Sequence, residues 1–114
     1  MLEANLFSAL SPLVGNRVFP DTAPAATQTP FITYQQVGGR SVDFLGAEYS
    51  DKKNARVQIN LWCSTRLEAA QIIRQIENAM VLAPLYGSIE GAPISSYEES
   101  LKLYGSMQQF SFWS

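Results

Sequence analysis

The chain has 114 residues, 46% of them hydrophobic, with 8 basic and 10 acidic side chains and a formal charge of −2. That length suits one domain burying roughly 65% of its unfolded surface, and the composition is globular and not disordered. Histidine is absent, which excludes His-dependent triads and dyads, and no basic cluster exceeds Lys52-Lys53 with Arg56 nearby, too little for a phosphate-gripping stripe.

In chain order, Leu2, Leu6, Phe7, Leu10 and Leu13 recur at spacings of three and four and predict an amphipathic first helix. Pro12 and Val14-Gly15-Asn16 end it, and Arg17-Val18-Phe19 reads as a brief strand before Pro20. Residues 20–30 carry three prolines and little bulk, the pattern of an extended, exposed loop. Phe31–Val37 and Arg40–Gly46 flank Gly38-Gly39, which predicts a hairpin through a tight turn needing positive φ at both glycines. Such a turn pairs Val37 with Arg40, Gln35 with Val42 and Thr33 with Phe44. It makes the face of Phe31, Val37, Val42 and Phe44 the better core candidate over the face of Ile32, Tyr34 and Leu45. Both faces are partly apolar, so something besides the helices is expected to cover one of them.

Ala47–Asn54 is polar and reads as a long connection. Ala55–Cys63 is the clearest strand, with Val57, Ile59, Leu61 and Cys63 alternating against Arg56, Gln58, Asn60 and Trp62. Thr65 and Glu68 form a capping-box pattern opening a second helix. Its stripe is Leu67, Ala70, Ile73, Ile76, Ala79 and Met80, and Pro84 sets its limit. Ile94–Glu98 and Met107–Trp113 complete the set as two strands joined by a turn over Glu99–Gly105. The reading is an α+β domain spanning 1–114: two helices packed on an antiparallel or mixed β-sheet of about four to five strands, in the order α-β-β-β-α-β-β, with a short extra strand at 17–19.

Chemistry is sparse. Cys63, the one cysteine, continues the apolar face of its strand and excludes an intrachain disulfide. Asp43, Glu48 and Asp51, and likewise Glu98 and Glu99, match no calcium-loop spacing and read as solvated charges, with a divalent ion at a subunit junction as the functional alternative. Gly38-Gly39 lacks the lysine and further glycines of a phosphate loop. The expectation is a non-enzymatic protein with no cofactor and no resident metal. The first residues lack a signal-peptide pattern, and the most apolar window, Ala79–Tyr86, is far short of the ~20 residues of a membrane span, so a soluble cytoplasmic protein is expected. Trp62 falls on the polar side of its strand and Trp113 near the end of the last one, both candidates for a protein interface. Lys52, Lys53 and Arg56 read as a solvated face or as contacts to a neighbour's carboxylates or a nearby DNA backbone.

Four segments carry a resemblance. They are Val14-Gly15-Asn16-Arg17-Val18-Phe19-Pro20-Asp21 after the first helix, Thr29-Pro30-Phe31-Ile32-Thr33-Tyr34-Gln35, Ala55–Trp62 running into Glu68-Ala69-Ala70, and Gln109-Phe110-Ser111-Phe112-Trp113. In order and spacing they resemble the tail-completion (tail terminator) proteins of tailed bacteriophages and prophages, over nearly the whole chain, with residues 86–106 matching less well. The resemblance implies two helices against a β-sheet. It also implies a minor structural protein of the virion tail, assembled in the host bacterial cytoplasm. There it forms a homo-oligomeric ring, commonly a hexamer, at the head-proximal end of the tail tube, and DNA passes through without specific binding. Its partners are then the tail tube protein and a head-neck protein, with no membrane. Interface candidates are Asp21, Tyr49, Asp51, Lys52, Lys53, Arg56, Trp62 and Trp113, and the exposed loops at 20–30 and 47–54 are the candidates for axial contacts. The alternatives are a head-completion or connector (neck) subunit of the same virion, and a small ligand-binding α+β domain.

Overall fold

The computed structural model describes residues 2–39 and 53–113. Helix α1, Leu2–Leu10, runs into a single 3-10 turn, Ser11–Leu13, where Pro12 occupies one of the first positions. Leu6 and Leu10, four apart, are fully buried. Phe7, expected on the same stripe, lies about 100° around the helix from Leu6 and is 45% exposed. Gly15 and Asn16 then turn the chain with left-handed φ values of 60° and 66°.

Strand β1, Val18–Pro20, pairs in parallel with β2, Phe31–Gln36, in the register Val18↔Ile32. Arg17 fixes that register from both sides of the loop. Its Nε donates to Pro30 O at 3.0 Å, and its own carbonyl accepts from Ile32 N at 2.9 Å. Strand β3, Asn54–Cys63, runs antiparallel to β2, and helix α2, Arg66–Val81, follows after two residues. Three more strands complete the sheet: β4, Ser88–Ile89, β5, Ile94–Glu98, and β6, Leu103–Trp113. β6 pairs with β3 from Asn54↔Trp113 to Cys63↔Tyr104, and along its other edge with both β4 and β5. The result is a six-stranded mixed sheet in the order β1-β2-β3-β6, with β4 and β5 side by side against β6.

Both helices pack on one face of this sheet. Val57, Ile59 and Leu61 of β3, Ile32 of β2, and Phe110 and Phe112 of β6 meet Leu6, Leu10, Ile73, Ile76 and Met80, all within one buried cluster. Each such side chain contributes about 1.5–3 kcal/mol by leaving water. Tyr34 closes the margin of this core by donating from its hydroxyl to Glu3 Oε1 at 3.0 Å, which ties α1 to β2.

The α+β class and the two helices are as expected; β1 is the short extra strand expected at 17–19, and the strand count is slightly higher than expected, β4 having had no counterpart in the sequence reading. Four expectations need correction. First, the backbone at Gly38 and Gly39 does not make the expected tight turn: Val37 N donates to Arg56 O and Arg56 N to Gly38 O, both at 2.8 Å, so the glycines run on alongside β3, with Thr33 paired to Asn60 and Gln35 to Gln58. The expected strand at Arg40–Gly46, and the pairings assigned to it, lie outside the described residues. Second, the core face of β2 is that of Ile32 and Tyr34, not that of Phe31. Third, Leu67 is 69% exposed and Ala70 exposed, while Ala69 is buried; the stripe of α2 begins one residue out of the expected phase. Fourth, β6 starts at Leu103, four residues early, and shortens the turn expected to reach Gly105.

Candidate functional site

The alternation that points Val57, Ile59 and Leu61 at the helices points Arg56, Gln58, Asn60 and Trp62 the other way. No helix of the described residues covers that outer face. Phe31 and Thr33 of β2 join it by register, as do Gly105, Met107, Gln109 and Ser111 of β6. Its middle is held by side-chain hydrogen bonds. Asn60 Nδ2 donates to Thr33 Oγ1 at 3.2 Å, and Gln58 Nε2 donates to Asn60 Oδ1 at 2.8 Å. Among the described strand residues only Arg56 and Glu98, at opposite ends, put charge on this face. An uncharged polar surface with large apolar inserts is the composition that protein interfaces favour.

One end of the face holds a cleft of about 610 Å³. Trp62 and Phe31, directly paired across β2 and β3, form its floor, the loop from Asp21 to Thr27 one wall, and Leu101 and Leu103 the other. The 20–30 loop is largely exposed, as expected, and its 21–27 part also lines this cleft beside Phe31.

A second depression, about 630 Å³, lies on the helix side between α2 and β5. Helix α2 packs on β3, β6 and β4 and leaves β5 largely outside its cover. Arg66, Arg74 and Glu77 line one wall; Ser95, Ser96 and Tyr97 line the other. Glu77 is engaged, accepting from Gln108 Nε2 at 2.6 Å. Arg66 and Arg74 have no ion-pair partner among the described residues. The buried Ser96 Oγ and Gln108 Oε1 have no hydrogen-bond partner among the described residues.

Of the residues singled out by sequence, Asp21 and Trp62 share the first cleft. Trp113 pairs with Asn54 at the far end of the β3–β6 ladder and is 45% exposed. Lys53 and Arg56 lie at that same end, where Arg56 sits 3.9 Å from Glu90 in a solvent-exposed pair. The two tryptophans are therefore not brought together. Tyr49, Asp51 and Lys52 lie outside the described residues, as do Asp43 and Glu48. Leu101, Leu103, Arg66, Arg74 and Ser96 were not singled out. Their spacing along the chain carries no signal, because Ser96 comes to Arg66 and Arg74 of α2, and Leu101 and Leu103 come to Trp62, only through the packing of distant segments.

Cys63 is fully buried, and burial followed by the Glu68 charge pushes its thiol up to about 12. Burial, the hydrogen bond to Glu3 and the charges of Glu3 and Asp21 push Tyr34 up to about 12 as well. Among the described residues, no three His, Cys, Asp or Glu side chains converge as metal ligands, and no helix is long and apolar enough to cross a membrane.

The family described as "Tail completion protein gp17" matches residues 5–113. No curated protein matches the chain. Among solved structures, a chain from "Virion of native gene transfer agent (GTA) particle" shares the fold with a TM-score of 0.64 at 16% sequence identity, over 98% of this chain and 92% of that one.

Proposed function

The chain belongs to the tail completion protein gp17 family and so is a structural protein of a phage-type virion tail, and from that premise we propose that it closes the head-proximal end of the tail tube as a ring. The ring ends tube polymerisation and offers the surface on which the filled head docks. The family match over residues 5–113 carries this reading. The likeness in fold to a chain of a gene transfer agent virion is consistent with it. Two features of the molecule support it physically. The outer sheet face carries no helix among the described residues and little charge on its described strands, and the two edges of the described sheet differ in kind, which suits a heterologous, ring-closing contact.

In this reading six copies close the ring, and DNA passes through it without specific binding. The chain acts without catalysis and without a cofactor. Asp21 and Trp62 contact a partner through the cleft they share, and Trp113, Arg56 and Lys53 do so at the opposite end, together with Tyr49, Asp51 and Lys52. The 20–30 loop and the 47–54 connection face the tail tube and the head.

Light scattering with negative-stain imaging tests the assembly, on the chain alone and on purified tail tubes. Rings of about six subunits are expected. A chain that stays monomeric in both settings removes the ring. Deleting the gene from its phage or prophage separates the alternatives: overlong, headless tails are expected, whereas tails of normal length with leaking heads indicate a neck subunit. Reversing the charges of Lys52 and Lys53 is expected to impair ring formation or head joining with the fold intact, and unchanged assembly excludes these lysines from the contact.

A further inference from the structure

The two ends of the outer sheet face differ in shape and in charge. At one end is the cleft of about 610 Å³, with Phe31 and Trp62 as its floor and Leu101 and Leu103 as one wall. Two exposed acidic residues, Asp21 and Glu98, also line it, and neither stands in an ion pair among the described residues. The cleft is mostly apolar yet open to water, and Leu101 on its wall is 67% exposed. Its volume falls within the roughly 300–1,000 Å³ of pockets that take up a bound group. The β5 edge, free of proline and lysine, ends at Glu98 in this cleft, whereas β1 ends in Pro20, which guards the other edge.

At the opposite end, Trp113 closes the β3–β6 ladder across from Asn54 and is 45% exposed. Lys53 precedes Asn54, and Arg56, paired with Ser111, is the next residue of β3 on the same face. Lys53 has no ion-pair partner among the described residues, and Arg56 keeps only its exposed 3.9 Å pair with Glu90, a contact worth little in water. Asn54 Nδ2 donates to Ser111 Oγ at 2.8 Å and to Phe112 O at 3.1 Å. The strand end that carries Trp113 is thus held in place before any partner arrives, which lowers the entropy cost of binding.

The two ends are complementary. An exposed indole flanked by two cations matches an apolar hollow flanked by two carboxylates. Tryptophan seated in a pocket is the commonest kind of interface anchor, and charges around it fix orientation and partner. One subunit cannot make this match by itself. Trp62 lies eight residues along β3 from Asn54, about 26 Å, and both ends belong to one sheet.

Resting on the ring reading above, we propose that the Trp113 end of one copy docks in the Trp62 cleft of the next, with Lys53 and Arg56 facing Asp21 and Glu98. Each copy gives one end and receives another, which makes the contact heterologous. The contact regions at the two ends of the molecule are then the two halves of a single joint between copies.

The test uses the full chain with Cys63→Ala. One batch carries Lys53→Cys and a second Glu98→Cys; the two are mixed and treated with a short bis-maleimide. A cross-linked dimer that requires both variants is expected. A chain with both cysteines is expected to give a ladder of species up to the full ring, and no intrachain link at high dilution. Trp113→Ala is expected to weaken self-association by about tenfold or more at an unchanged circular dichroism spectrum. Asp21→Asn with Glu98→Lys is expected to weaken it as well, asparagine being suited to the left-handed φ of 64° at position 21. Adding Lys53→Glu and Arg56→Glu to that same chain is expected to restore association. Rings that form equally well in Trp113→Ala and give no cross-link overturn this docking while leaving the ring standing. So does a Glu98→Cys link made only to tail tube protein. A ladder that stops at two subunits keeps the joint and overturns the ring. An intrachain link overturns the exchange between copies. A wild-type chain that never assembles, alone or on tail tubes, overturns the ring reading itself.

Discussion

Trp62 lies flat on a gap in the neighbouring strand. Its cross-strand partner is Gly105, and a Cβ built there would stand 2.7 Å from Trp62 Cζ3 and 2.7 Å from Ser96 Oγ. The indole therefore fits only because its partner has no side chain. Gly105→Val is expected to displace the ring and cost about 1–3 kcal/mol, as overpacking does. Denaturant unfolding gives the cost, and tryptophan emission in a Trp113→Phe background gives the displacement; unaltered emission refutes the contact. That Trp62 faces away from the helices was legible in the alternation of β3. That Gly105 seats it was not, since only the register opposes two residues 43 positions apart. Tyr34 and Cys63 set the behaviour at high pH. Both hold their protons more tightly when folded than unfolded, Tyr34 to about 12 against 10.0 and Cys63 to about 12 against 9.0. Their contribution is therefore complete below the unfolded values and is lost as pH rises through the folded ones. Denaturation midpoints are expected to fall between pH 9 and 12, with a shallower decline in Tyr34→Phe and in Cys63→Ala. An equal slope in both variants assigns the alkaline loss elsewhere.

At the scale of elements, α2 was the most legible because its start signal is local. Thr65, in extended conformation, accepts from Glu68 N at 3.1 Å, as a capping residue should. Thr65→Ala is expected to cost about 1 kcal/mol in denaturant unfolding, and no change there contradicts the cap. β3 was legible for the same local reason, its strict period of two. Where pairing decides, local pattern failed. Gly38 and Gly39 have φ of 127° and 158°, away from a tight turn, and Arg56 N donates to Gly38 O at 2.8 Å, so the glycines continue alongside β3. A side chain on Gly39 would strike Asn54 O, which is why glycine stands there. The early start of β6 was hidden because its turn places Lys102, and no glycine, in the left-handed region at φ 54°. Of the candidate site, the outward face of β3 was readable, but the clefts were not, since each is bounded by segments that meet only in the sheet.

At the scale of the whole molecule, one sheet face carries the helices, and the proposed contacts fall on the other, which no helix of the described residues covers. The asymmetry of the edges predicts where assembly is felt. Hydrogen exchange of the β5 amides is expected to slow on ring formation, while β1 amides change little. Equal slowing at both edges points to a symmetric contact instead. The outer face predicts a further effect. If the Trp62 cleft meets a partner, acrylamide quenching of Trp62 falls when the ring forms, and unchanged quenching leaves that cleft facing solvent.

The position of β6 between β3 and the β4–β5 pair has a consequence for how the molecule is made. β3 is complete at Cys63, but its inner partner begins at Leu103, about forty residues later. At roughly 5–20 residues per second, a ribosome exposes the apolar face of β3 for several seconds before the strand that completes the sheet exists. A nascent chain lacking that strand has β4 and β5 with nothing to pair against. The last strand described thus acts as a keystone in time as well as in space.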